Sequence, residues 1–157
     1  MTREEKFMQE AIDLSLHGIN NNEGGPFGCV IVQGEKIIGR GNNKVTSTND
    51  PTAHAEVVAI RDACKTIGSF QLDGCEVYAS CEPCPMCLGA IYWARPKVIY
   101  FANTREDAAA IGFDDSMIYD EISTHINQRK IPAIELGRDN ALKVFKQWSS
   151  AENKTKY

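Results

Sequence analysis

The chain has no long apolar run. No stretch approaches the roughly 20 consecutive apolar residues that a membrane span needs, and Met1 to Lys6 alternate charge and polarity. Neither a membrane partner nor a secretion signal is expected. Basic clusters are also missing: none exceeds the Lys154 to Lys156 tail, and the net charge is −4. A nucleic acid backbone finds little to bind here, so a small-molecule partner is expected and no nucleic acid. Repeats, linkers and low-complexity stretches are absent too. Six cysteines are present, but the chain is larger than disulfide miniproteins and shows no export signal. Reduced thiols or metal ligands in a cytoplasmic protein are therefore the expectation. With 157 residues, 43% of them hydrophobic, one well-buried core fits and two ordinary domains do not. A single domain over 1–157 is expected.

Hydrophobic spacing organises the rest. Phe7, Met8, Ala11, Ile12, Leu14, Leu16 and Ile19 recur near helical spacing, which predicts a first helix from about Glu4 to Gly18. Asn20 to Gly25 breaks it. Phe27 to Val32 and Lys36 to Gly41, flanking Gln33-Gly34-Glu35, read as an antiparallel hairpin. Asp50-Pro51 supplies an N-cap and a first-turn proline for a helix carrying Val57, Val58, Ile60, Ala63, Cys64 and Ile67, ended by Gly68. A strand over Cys75 to Ser80, a helix over Pro85 to Arg95 closed by Pro96, and a strand over Lys97 to Ala102 form a crossover. Asp107 to Ile122 is helical with an interruption at Gly112, Ile131 to Leu136 is a fifth strand, and Asp139 to Trp148 is a last helix. The pattern implies an α/β fold of three layers, α-β-α, around a mixed five-stranded sheet.

Two short strings carry chemistry: His54-Ala55-Glu56 and Pro83-Cys84-Pro85-Met86-Cys87. One imidazole and two thiols hold a zinc ion by three corners and leave the fourth to water, while Glu56 is a carboxylate that need not be a ligand. Cys84 and Cys87, three apart at a helix start, share one face, and the helix dipole there favours thiolate. His54 and Glu56 are two apart and point to different faces in mid-helix, so they cooperate only from an irregular first turn, which the upstream Pro51 permits. Two thiolates cancel the charge of Zn²⁺, and the ion lowers the pKa of its water toward roughly 7. Glu56 then takes a proton from that water, delivers it to a ring nitrogen, and passes one to an exocyclic amine that leaves as ammonia. Aminopurines and aminopyrimidines are the electrophiles this machinery suits.

Other readings of the same residues stand beside this one. A Cys-x-x-Cys that follows a strand and opens a helix is also a thioredoxin-type redox placement. Cys81, three residues before Cys84, would complete a closed Cys₃His site that binds metal without catalysis. Cys29, Cys64 and Cys75 read as small apolar packing residues, and His17 and His125 as surface or helix-end residues. Gly24-Gly25-Pro26-Phe27-Gly28 has no phosphate-cradle spacing and reads as a turn before a strand.

The sequence resembles the cytidine and deoxycytidylate deaminase superfamily, and within it looks very much like the small bacterial guanine deaminases. The likeness runs through Gly24 to Gly28, Asn49-Asp50-Pro51-Thr52-Ala53-His54-Ala55-Glu56, Ser80-Cys81-Glu82-Pro83-Cys84-Pro85-Met86-Cys87, its continuation Leu88 to Arg95, and Gly112-Phe113-Asp114-Asp115-Ser116. The zinc strings identify the superfamily; the last segment and the terminal Tyr157 point to the guanine branch. The resemblance implies His54, Cys84 and Cys87 as ligands of one zinc per subunit and Glu56 as proton shuttle. It implies Phe27 stacking on a base, Asn43 bonding its polar edge, and Ala55 and Trp93 among the substrate contacts. Asp115 would be a second acidic group near the leaving amine. A homodimer is further implied, with C-terminal segments exchanged and Tyr157 closing over the partner's pocket. Without the resemblance, Asn43 reads as a turn former, Asp114-Asp115 as a helix cap, Phe27 as core and Tyr157 as a frayed end.

A purine base suits this chain better than a polymer. Phe27, Trp93 and Tyr157 offer flat surfaces for stacking, worth roughly 1 to 3 kcal/mol per base, and the acidic total opposes transfer RNA. Guanine conversion to xanthine is the expected reaction. Guanosine is the runner-up, and cytosine and adenine remain open because a buried amide pairs with several base edges.

Overall fold

The computed structural model describes residues 1–157, which divide into two compact units, Met1–Asp115 and Ser116–Tyr157. In the first unit, α1 (Arg3–Asn20) precedes a hairpin of β1 (Gly28–Gln33) and β2 (Lys36–Asn42), followed by a short α2 (Val45–Thr48) and by α3 (Ala55–Ile67). Then come β3 (Glu76–Cys81), α4 (Pro85–Ala94), β4 (Val98–Asn103) and α5 (Arg105–Ala110). The sheet order is β2-β1-β3-β4. β1 runs antiparallel to β2 and β3, and β3 parallel to β4, so the sheet is mixed and the β3-α4-β4 crossover is present.

Central β1 explains the layering. Its side chains alternate between two apolar faces, and both are covered, which is why the strand is a continuous apolar run. Val30 and Val32 pack with Tyr78 against Ala11, Phe7 and Met8 of α1. Cys29 and Ile31 pack with Val77 against Ala55, Ala59 and Ala63 of α3 and Ile91 and Ala94 of α4. Each fully buried Val or Ile here contributes roughly 1.5 to 3 kcal/mol. α1 begins with a capping box in which the Thr2 side chain accepts from the Glu5 N–H and Glu5 returns the bond.

One close approach sets the position of the site. A Cβ at Gly41 of β2 would lie 2.2 Å from the carbonyl oxygen of Ala55. The first turn of α3 therefore sits directly on the end of β2, and only glycine admits it.

Two expectations change. The helix after Asp50-Pro51 starts at Ala55, because the Asp50 carboxylate instead closes a local turn, accepting from the Thr52 N–H at 2.9 Å and its hydroxyl at 2.7 Å. The helical stretch from Asp107 to Ile122 is interrupted at Gly112 as expected, into α5 and α6 (Ser116–Ser123), the glycine having a φ of 97°. The sheet has four strands, since Ile131 to Leu136 forms no ladder with any other segment. β-periodicity alone cannot supply a pairing edge.

The second unit consists of α6, a 3₁₀ turn (Ile126–Gln128) and α7 (Arg138–Ser150). None of its helical residues is buried. Its apolar residues stand open, Ile131 by 83%, Ile134 by 86% and Leu136 by 92%. No helix of the chain is long and apolar enough to cross a membrane.

Candidate metal centre

His54 and Cys84 occupy equivalent places: each is the N-cap of a helix, in extended backbone, and neither spends its side chain on capping. Pro85 fixes the first residue of α4, and Cys87 follows inside its first turn. The Nδ1 of His54 lies 3.5 Å from the Sγ of Cys84 and 3.5 Å from the Sγ of Cys87. Ligand atoms of the three residues lie within 4.8 Å of one another. Zinc with usual Zn–N and Zn–S bonds in tetrahedral geometry spans a nitrogen-to-sulfur distance of about 3.5 Å. The donor set therefore fits this ion both in chemistry and in spacing.

Glu56 lies in the first turn of α3, 8% exposed, with Oε2 3.3 Å from the Cys87 Sγ. Because His54 is still extended and Glu56 already helical, two side chains only two residues apart reach the same sulfur. The expected cooperation from an irregular first turn is met, through the start at Ala55 rather than through Pro51. Burial raises the Glu56 carboxyl above its ordinary value. The hydrogen bond from Cys87, then that of His54, holds the Cys84 thiol down at about 4, whereas Cys87, the donor, is pushed up. His54 is raised by its bond to Cys84. Binding a divalent cation near neutral pH draws the proton that Cys87 still carries.

Cys81 stands outside this set. Its thiol donates to the Thr104 carbonyl at 3.6 Å, and burial, then the Glu56 charge, raises it to about 11. All six cysteines are free; Cys29 and Cys75 are fully buried among apolar side chains. His17 bonds at the end of α1, and His125 caps the 3₁₀ turn.

The hairpin end reaches the same place. The Lys44 N–H donates to the Ala53 carbonyl at 2.9 Å, which ties the residue after Asn43 to the residue before His54, and the Asn43 N–H donates to the Phe27 carbonyl at 3.0 Å. Asn43 is 5% exposed and its Oδ1 accepts from the N–H groups of Gly25 and Val45, so it does form a turn. Phe27 packs on the core and meets Phe113 edge-on, centroids 5.0 Å apart. No local signal in the sequence marks Phe113 for that role, because the contact spans distant segments. Asp115 is partly buried, with Oδ1 4.0 Å from the Arg105 Nε; burial raises its carboxyl, and the charge of Cys84 adds to that. Ala55 is buried under β2. Trp93 is not brought to the donor set: it is 62% exposed, six residues after Cys87 and about 240° further round the helix. Tyr157 lies in the second unit, 70% exposed.

Residues 1–103 match the cytidine and deoxycytidylate deaminase zinc-binding region. Over 153 residues the chain is 53% identical to the guanine deaminase of Bacillus subtilis, covering 98% of both. The X-ray structure of that guanine deaminase superposes with a TM-score of 0.94 over 98% of each chain. A transfer-RNA-specific adenosine deaminase of the same bacterium is 33% identical over 125 residues, covering 80% of this chain and 77% of the relative. With one imidazole and two thiols at two helix starts, on a mixed sheet between helices, the chain belongs to the cytidine and deoxycytidylate deaminase family.

Proposed function

We propose that the chain is a zinc-dependent guanine deaminase, which hydrolyses guanine to xanthine and ammonia. The observation that carries this is the buried Glu56 carboxyl set against a three-donor site that leaves a fourth corner for water. Likeness to a guanine deaminase over 98% of both chains selects the substrate.

His54, Cys84 and Cys87 would hold the zinc, which supplies Lewis acidity that makes water nucleophilic near neutral pH. Glu56 takes the proton from the attacking water. It delivers that proton to the ring nitrogen beside the amino-bearing carbon, then takes the proton of the added hydroxyl and passes it to the amine, so that a carbonyl forms as the carbon–nitrogen bond breaks and ammonia departs. Its raised affinity for a proton suits a group that must both accept and release one. Asn43, with Oδ1 engaged by main-chain N–H groups, offers N–H donors to acceptor atoms on the base edge. Phe27, braced by Phe113, supplies the stacking face, and Asp115 an acid near the leaving amine. Ala55 lines the site from α3. Trp93 is a further flat surface for the base, and Tyr157 would enter the site from a second copy of the chain, in a homodimer that exchanges C-terminal segments. The open apolar residues Ile131, Ile134 and Leu136 of the second unit support such an exchange. The six unpaired thiols support a cytoplasmic address.

Ammonia release from a panel of aminopurines and aminopyrimidines, with and without ribose, tests the substrate. Guanine should be the fastest. If zinc-loaded protein leaves guanine unchanged while converting guanosine or cytosine, the assignment is wrong.

A further inference from the structure

The Asn43 amide is held by residues outside the two metal-binding strings. With Oδ1 of Asn43 accepting from Gly25 N–H at 3.2 Å and Val45 N–H at 3.1 Å, the amide can sit only one way round, and its Nδ2 group is what it has left to donate. The turn that carries it is held by Asn42, itself 5% exposed. Asn42 Nδ2 donates to Glu23 Oε2 at 2.6 Å and to the Asn43 carbonyl at 3.3 Å. At the end of α1 a Cβ on Gly18 would lie 2.8 Å from Asn42 Nδ2, so Asn42 has little slack. Glu23 is anchored in turn: its carboxylate lies 3.7 Å from Lys44 Nζ, and its carbonyl accepts from the Ser47 N–H at 3.2 Å and the Thr46 hydroxyl at 3.3 Å. The next residue, Gly24, leaves no room either, since a Cβ there would lie 2.2 Å from Asn43 Oδ1 and 2.5 Å from its carbonyl oxygen.

We propose that Glu23 is a positioning residue for the substrate base: through Asn42, and with Gly24 pressed on Asn43, it fixes the Asn43 amide with its N–H groups toward an acceptor-bearing purine edge. This rests on Asn43 contacting the base. Glu23 itself touches neither the base nor the metal donors. It acts by keeping a buried amide in one orientation, so its loss weakens binding and leaves the proton transfers at Glu56 intact.

The test is steady-state kinetics of the full zinc-loaded chain on guanine for E23A, E23Q, G24A, N43A and the E23A/N43A pair. E23A should raise KM about tenfold and change kcat by no more than about twofold, with zinc content unchanged. E23Q keeps an acceptor oxygen for Asn42 and should bring KM back to within about threefold of the parent. G24A should raise KM by its own steric route, which keeps the proposal testable if E23A folds poorly. E23A should add nothing to N43A in the pair, since both act through one amide. An N43A protein with raised KM beside an E23A protein with unchanged KM, or multiplying effects in the pair, overturns the role of Glu23 alone. An unchanged KM in N43A instead overturns the contact between Asn43 and the base, and the proposal with it.

Discussion

A carboxyl group buried beside a sulfur keeps its proton more readily than one in water, and Glu56, against Cys87, is such a group. Glu56→Gln preserves its shape and removes its ability to carry a proton. Turnover should fall by at least about 10²-fold while zinc content and the unfolding midpoint hold; kinetics on metal-quantified protein check this, and retained turnover would exclude Glu56 as the shuttle. Cys81 gives the complementary case, because its thiol faces the Thr104 carbonyl and not the donor set. Cys81→Ser should retain one zinc per chain, whereas Cys84→Ser should lose it; atomic absorption after gel filtration distinguishes them. The donor set was legible in the sequence because its strings are local: a helix start holds His54 beside Glu56, and another holds Cys84 beside Cys87. Asn43 was legible only through family likeness. Its engaged oxygen bonds to Gly25, 18 residues away, and the Glu23 contact with Asn42 spans 19. Spacing of that kind leaves no periodic trace.

At the scale of elements, α1 and the sheet are tied by one buried carboxylate. Glu76 on β3 accepts from Arg3 at 2.8 Å and from Tyr78 at 2.7 Å, and lies 2.9 Å from Lys97 just before β4. Burial alone would raise its pKa, but the bonds from Arg3, Lys97 and Tyr78 together outweigh it and bring the group down to about 2. A carboxyl lowered in the folded state contributes stability that is complete above its unfolded value, near 4.5, and is lost as pH falls toward about 2. Glu76→Gln should therefore destabilise the protein by about 1 to 3 kcal/mol at pH 7. In denaturant unfolding the gap from the parent should narrow below pH 4.5; a gap that is flat with pH would show that ionisation of Glu76 is not what ties these elements. The layers themselves were readable, since α1 and α3 each show one helical repeat and β1 is an unbroken apolar run. The start of α3 and the fate of Ile131 to Leu136 were not. Asp50 and Pro51 suit a turn as well as a cap, and strand-like alternation becomes a strand only where an edge accepts it.

For the whole molecule, the second unit is the less determined part of the chain. It buries none of its helical residues while carrying Ile134 and Leu136 in the open, and a second copy is the proposed cover. If Tyr157 closes over a partner's pocket, deleting this single residue should lower kcat/KM for guanine without moving the unfolding midpoint or the sedimentation behaviour. Unchanged kinetics would remove the tail from the site. The central claim is that hydrolysis of guanine depends on a cation held by His54, Cys84 and Cys87 next to Glu56. Its most direct test is to strip the protein of metal and titrate zinc back while following xanthine and ammonia from guanine. Activity should rise in proportion to zinc and level off at one ion per chain, with xanthine and ammonia formed in equal amounts. Full activity in the stripped protein, or a metal-replete protein that leaves guanine untouched, would contradict it.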